Sequence, residues 1–165
     1  MEANAKKTAL QFFISVFDFH TAQYHNALES IPGKETHNRL NSKANHIAYI
    51  AGRMIYERHE LAKGININVD LTTTKEFQDF KGIQDNVTYP SLEEYKKDWD
   101  TISASLKEGL QKLTEEQLNG ADPFNMPGGN YTLFDSIVFS IDHESYFLGQ
   151  LGLYRRLLGI AATKF

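Results

Sequence analysis

Residues 91–113, SLEEYKKDWDTISASLKEGLQKL, carry the pattern on which the fold rests. Leu92, Tyr95, Trp99, Ile102, Leu106, Leu110 and Leu113 recur at intervals of three and four, which lines one face of an α-helix with apolar side chains. Ser91 and Glu94 form a capping box directly behind Pro90, so the start of this helix is as legible as its face.

Working outward, three more segments repeat the pattern. Residues 5–31 place Leu10, Phe13, Phe17, His20, Tyr24 and Leu28 at helical spacing, ended by Pro32-Gly33. Residues 41–63 do so through Ile47, Ile50, Met54 and Leu61, with Gly64 at the C-terminus. Residues 131–158 start at Thr132, with Asp135 three positions on, and stop at Gly159. Each helix spans roughly 30 to 40 Å at 1.5 Å per residue. The expected fold is all-α, a four-helix bundle in a single domain, residues 1–165.

The connections predict the order of packing. A short first loop makes the first two helices antiparallel neighbours. The connection of residues 65–90 is long enough to run back along the bundle and lay the third helix parallel to the second, giving an up-down-down-up layout. Before the last helix, LTEEQL reads as one short helical turn and ADPFNMPGGN as a loop rich in proline and glycine. No internal repeat or low-complexity tract interrupts the chain.

Composition narrows the function. Among 165 residues, 17 Lys and Arg face 21 Asp and Glu, a formal charge of −4, and the basic residues form no run, so nucleic acid is not an expected partner. The absence of cysteine removes disulfides, thiolate metal sites and cysteine nucleophiles, and suits a cytoplasmic protein. The apolar N-terminal patch is broken by Gln11, Ser15 and Asp18, so neither a signal peptide nor a membrane span is expected.

The stretch HIAYIAGRMIYERHELAKGI on the second helix and DSIVFSIDHESYFLGQLGLYRRLLG on the fourth, within this four-helix layout, resemble the DinB/YfiT superfamily of bacterial proteins. The likeness covers nearly the whole chain. Its most specific element is His143 followed by Gly149, Gln150, Arg155 and Arg156. The resemblance implies a divalent ion, commonly zinc or nickel, held by three histidines, one on the second helix after a glycine and two on the fourth. Carried over, those positions are Arg53 after Gly52, then His143, then Phe147. Arginine is a permanent cation without an acceptor lone pair, and phenylalanine has no donor atom for a metal. One imidazole does not hold zinc, which takes about three protein ligands and a water in catalytic sites. The expected triad is therefore degenerate, and no metal is expected.

Other polar residues surround this position. His46 precedes Arg53 by two helical turns on roughly the same face, and Ser136 and Ser140 share a face of the fourth helix with His143. Together with Arg53 they could surround a small carboxylate or phosphate. Equally, Arg53 and Glu57 are natural i,i+4 partners in a structural salt bridge, and His20, on the buried stripe, reads as a hydrogen-bonded core residue. Two classes of function stay open: a metal-free protein of this type with a small-anion pocket, and a metal-dependent hydrolase or thiol-dependent S-transferase using zinc or nickel through an unorthodox set such as His46 and His143. A homodimer is expected in either case, because Phe12, Val16 and Phe19 widen the apolar arc of the first helix beyond one face.

Overall fold

The computed structural model describes residues 5–163. Its helices are α1 (Ala5–Leu28), α2 (Ile47–Gly64), α3 (Leu92–Lys112), the one-turn α4 (Glu115–Leu118) and α5 (Leu133–Leu157). Side chains fix where they begin. Ser91 with Glu94, Thr114 with Gln117 and Thr132 with Asp135 each close a two-way capping box at the start of α3, α4 and α5. At the far end of α5, Gly159 takes φ 72°, while the N–H of Ile160 reaches Arg155 O at 2.8 Å and that of Gly159 reaches Arg156 O at 3.1 Å. That pair of bonds is the Schellman closure that glycine permits.

Two boundaries differ from the sequence reading. α1 ends at Leu28 rather than at residue 31, because the chain turns sharply at Ser30, whose φ is 59°. α2 begins at Ile47 rather than at residue 41, because His46 is extended and its Nδ1 accepts the Tyr49 N–H at 3.0 Å. The first loop is accordingly longer than expected, and its length changes the packing. The extensive helix contacts are α2 with α3, α1 with α5, α2 with α5, and α1 with α3. α1 and α2 thus lie across the diagonal of the bundle rather than side by side, since a loop of this length does not force sequential helices together.

Paired residues give the directions. Lys6 meets Thr132, His20 meets Glu144 and Arg155 reaches Ala27 O, so α1 and α5 run the same way. Tyr24 donates to Ala51 O and Arg58 to Phe17 O, so α2 runs against α1. His25 meets Asp100 while Lys107 meets Asp18, so α3 also opposes α1. The connection between α2 and α3 returns along the bundle by way of a short 3₁₀ segment, Lys75–Phe80, whose Phe77 is fully buried. A Cβ on Gly52 would sit 2.4 Å from the Phe77 ring and 2.5 Å from the Tyr95 hydroxyl, so glycine lets this segment lie against α2.

Within the largely apolar core between α1, α2, α3 and α5 lies a polar island centred on Arg58. Arg58 is 1% exposed and lies between the Phe17 and Trp99 rings, its guanidinium carbon 3.6 and 3.7 Å from their centroids. Its Nε and Nη2 reach the two oxygens of Glu144 at 2.5 and 2.8 Å, Nη1 donates to Thr21 and Ser103, and Nη2 also donates to Phe17 O. All five donors are thereby used. His20 completes the island, with Nδ1 3.1 Å from Glu144 and Nε2 3.1 Å from the Ser145 hydroxyl. It is the hydrogen-bonded core residue that its place on the buried stripe predicts.

Candidate functional site

One residue outward from the island, the same two helices carry a second polar cluster. Glu57 and Arg58 are consecutive on α2, and His143 and Glu144 are consecutive on α5, so a register that joins Arg58 to Glu144 also joins Glu57 to His143. A step of about 100° around each helix separates the two pairs, leaving the first in the core and the second toward the surface. Glu57 Oε1 accepts from Arg53 Nε at 2.7 Å, the i,i+4 salt bridge expected from the sequence, and Oε2 lies 2.8 Å from His143 Nδ1. Arg53 and Glu57 are largely shielded from solvent, with side-chain exposures of 13% and 10%, whereas His143 keeps 29%.

Aromatic rings hold this cluster in place. The His143 imidazole lies 4.4 Å from the Phe147 ring, 5.5 Å from Phe139 and 5.6 Å from Tyr146. The Arg53 guanidinium lies 4.9 Å from the centre of Phe80, at the end of the 3₁₀ segment. Burial raises the neighbouring Tyr49 hydroxyl above its ordinary pKa, and the Arg53 charge opposes that rise.

A cavity of about 270 Å³ opens beside these groups. Arg53, Glu57, Glu60, Ser140 and His143 line its polar side, and Phe80, Phe124, Met126, Pro127 and Phe139 its apolar side. The loop ADPFNMPGGN supplies three of the apolar residues. Its base is pinned by Asp122, which accepts the backbone N–H groups of Phe124 and Met126 and the Ser136 hydroxyl. Burial alone would raise the Asp122 carboxyl, but these three hydrogen bonds together hold it below its usual value.

Of the residues singled out in the sequence, Arg53, His143 and Ser140 therefore meet at one cavity, and Phe147 packs on His143 from the core side at 4% exposure. Two others do not. His46 caps α2 and lies against His37 and Tyr89, at ring distances of 4.9 and 5.0 Å, with no place in the cavity lining. Ser136 is buried and spends its hydroxyl on Asp122 and Thr132 O. Glu57, by contrast, emerges as the centre of the cluster. The sequence presented it as a partner of Arg53; its second partner lies 86 residues away and becomes visible only in the fold.

No family model matches the sequence, and no curated protein matches it either. Among solved structures, a DinB-like protein from Bacillus cereus superimposes with a TM-score of 0.71, covering 93% of this chain and 95% of that chain at 14% identity. The fold is DinB-like. Arg53, His143 and Phe147, where the sequence reading expects a metal triad, do not fit a metal ion. Arg53 is a cation already paired with Glu57, and the Phe147 ring beside His143 carries no donor atom for a metal. Among the described residues, no three His, Asp or Glu side chains are grouped to hold an ion. No described helix of this DinB-like fold is long and apolar enough to cross a membrane.

Proposed function

We propose that this chain is a metal-free DinB-like protein that binds a small organic ligand in the cavity beside Arg53 and His143. The carrying observation is the two-sided lining: Phe80, Phe124, Met126, Pro127 and Phe139 on one wall, Arg53 and His143 on the other. A ligand with an apolar body and a small acidic head matches both walls, the head meeting the Arg53 guanidinium. A bare inorganic anion matches less well, because Glu57 and Glu60 also line the cavity and it would leave the apolar wall empty. The protein works as a homodimer in the cytoplasm, its exposed Phe12, Phe19, Tyr146 and Leu153 covered by the second copy.

Thermal melts with phenylacetate, phenylacetamide and inorganic phosphate test the ligand reading. Phenylacetate is expected to raise the melting temperature most, since a ligand that binds only the native state stabilises it by mass action. Arg53→Ala is expected to remove the advantage of the acid over the amide. No shift with either organic probe would overturn the reading.

A further inference from the structure

Glu57 holds two partners at once, Arg53 on one oxygen at 2.7 Å and His143 Nδ1 on the other at 2.8 Å. A carboxylate only accepts, so the imidazole hydrogen lies on Nδ1 and the lone pair of neutral His143 lies on Nε2. Among the described residues none hydrogen-bonds that Nε2, and His143 lines the cavity. The Glu57 carboxylate fixes the tautomer, the rings of Phe139, Tyr146 and Phe147 fix the plane, and any positive charge that develops on the imidazole meets the Glu57 charge directly. These are the properties of an oriented base.

The chemistry open to that base is narrow. No hydroxyl is hydrogen-bonded to His143 among the described residues, and the chain has no cysteine, so the nucleophile-and-base contact required for acyl transfer is missing. A base with no side-chain nucleophile beside it removes a proton directly, from water or from the substrate, and the apolar wall favours an apolar substrate as the proton donor. The other charged groups at the cavity are Arg53 and Glu60, the latter paired with Lys63 at 2.7 Å, so Arg53 is the cation available to a nascent oxyanion.

We propose that the cavity is a general-base site acting on apolar carbon acids whose conjugate base is an oxyanion, with His143 as the catalytic residue and Glu57 as its positioning residue. In the step, the substrate C–H bond breaks and its proton forms the N–H bond on His143 Nε2. The electron pair left behind delocalises onto an oxygen beside Arg53. The proposal rests on the cavity being a ligand site.

The probe is 5-nitrobenzisoxazole, from which a base takes the ring C–H proton while the N–O bond breaks, giving the coloured 2-cyano-4-nitrophenolate. Turnover by the wild-type protein is expected to fall about 100-fold in His143→Gln, the low end of what a positioned base contributes. Glu57→Gln is expected to lower kcat about tenfold with KM nearly unchanged, because the base is still present but no longer held. His25→Gln, which alters an exposed imidazole paired with Asp100, should leave the rate unchanged. Nitrogen-15 NMR of the wild-type protein tests the same assignment without a variant, with the His143 hydrogen expected on Nδ1. Turnover that survives in folded His143→Gln, or a hydrogen on Nε2, would overturn the proposal. Binding of 2-cyano-4-nitrophenol by calorimetry without turnover of the probe would overturn the base alone and leave the ligand cavity standing. Neither binding nor turnover would overturn both.

Discussion

Arg58 and Glu144 form a two-point ion pair at 2.5 and 2.8 Å in the middle of the bundle, both side chains almost wholly removed from water. Burial by itself would raise the Glu144 carboxyl, yet the Arg58 charge, the hydrogen bonds from Arg58 and the His20 contact outweigh it and hold the group below its ordinary value. The pair ties α2 to α5, and Thr21 and Ser103 bring α1 and α3 into the same network.

Breaking this pair from one side strands a charge. Glu144→Leu is expected to cost about 3 to 5 kcal/mol, because Arg58 would stay buried with its carboxylate gone. The double variant Arg58→Met, Glu144→Leu should be much less destabilised than the sum of the two single changes, since no charge is left uncompensated. Urea unfolding of all four proteins measures the coupling. Additive losses would mean that the two residues act independently.

Stability should fall in acid for two reasons of the same sign, His46 acting first and Glu144 at lower pH. Glu144 has a lowered folded-state value, so its contribution is present above its unfolded value and is lost as pH falls through the folded one. Burial, followed by the neighbouring His37, lowers His46 from 6.5 to about 4. The unfolded chain therefore binds the His46 proton first as pH drops from 6.5 toward 4, which favours unfolding. At about 1.4 kcal/mol per unit, discounted for partial screening, the His46 share is on the order of 2 kcal/mol. His46→Asn keeps a side-chain cap for α2 and should flatten the melting temperature across that window. An unchanged pH profile in this variant would assign the acid sensitivity elsewhere.

Metal content separates this chain from a metal-holding one. Protein purified without an affinity tag is expected to carry no stoichiometric zinc or nickel after dialysis, by elemental analysis. Arg53→His with Phe147→His places three imidazoles on α2 and α5, and calorimetry is expected to find zinc affinity above that of either single variant. Phe147 is buried, so Phe147→His should by itself lower stability by a few kcal/mol, about what truncation of a core aromatic costs. No gain in affinity in the folded double variant would show that these are not the triad positions.

Gly52 offers a separate test of the core. Gly52→Ala drives a methyl group into the Phe77 ring and the Tyr95 hydroxyl, and is expected to cost about 1 to 3 kcal/mol as overpacking despite the better helix propensity of alanine. Equal or greater stability in a thermal melt would mean that the 3₁₀ segment shifts away freely.

The proposed homodimer has a direct measurement. Phe12 and Phe19 on α1, and Phe139, Tyr146, Leu153 and Leu157 on α5, are 48% to 67% exposed along two adjacent helices. Light scattering at micromolar concentration is expected to give twice the 18.8 kDa chain mass. A purely monomeric species would show that this apolar face stays open to water.

Local rules sufficed for the helices themselves. The stripe from Leu92 to Leu113 needs only a 3.6-residue period to become a buried face, and the boxes Ser91–Glu94 and Thr132–Asp135 close over three residues, so all-α architecture and the starts of α3 and α5 were determined by the sequence. Arg53 with Glu57 was legible for the same reason, being one helical turn apart. The diagonal placement of α1 and α2, the removal of His46 and Ser136 from the site, and the joining of Glu57 to His143 were decided by tertiary structure. Each depends on how two distant helices are rotated and shifted against one another. A shift of one residue moves a side chain about 100° around its helix, enough to exchange the buried Arg58–Glu144 pair for the cavity-lining Glu57–His143 pair, and spacing within one helix carries no record of that register.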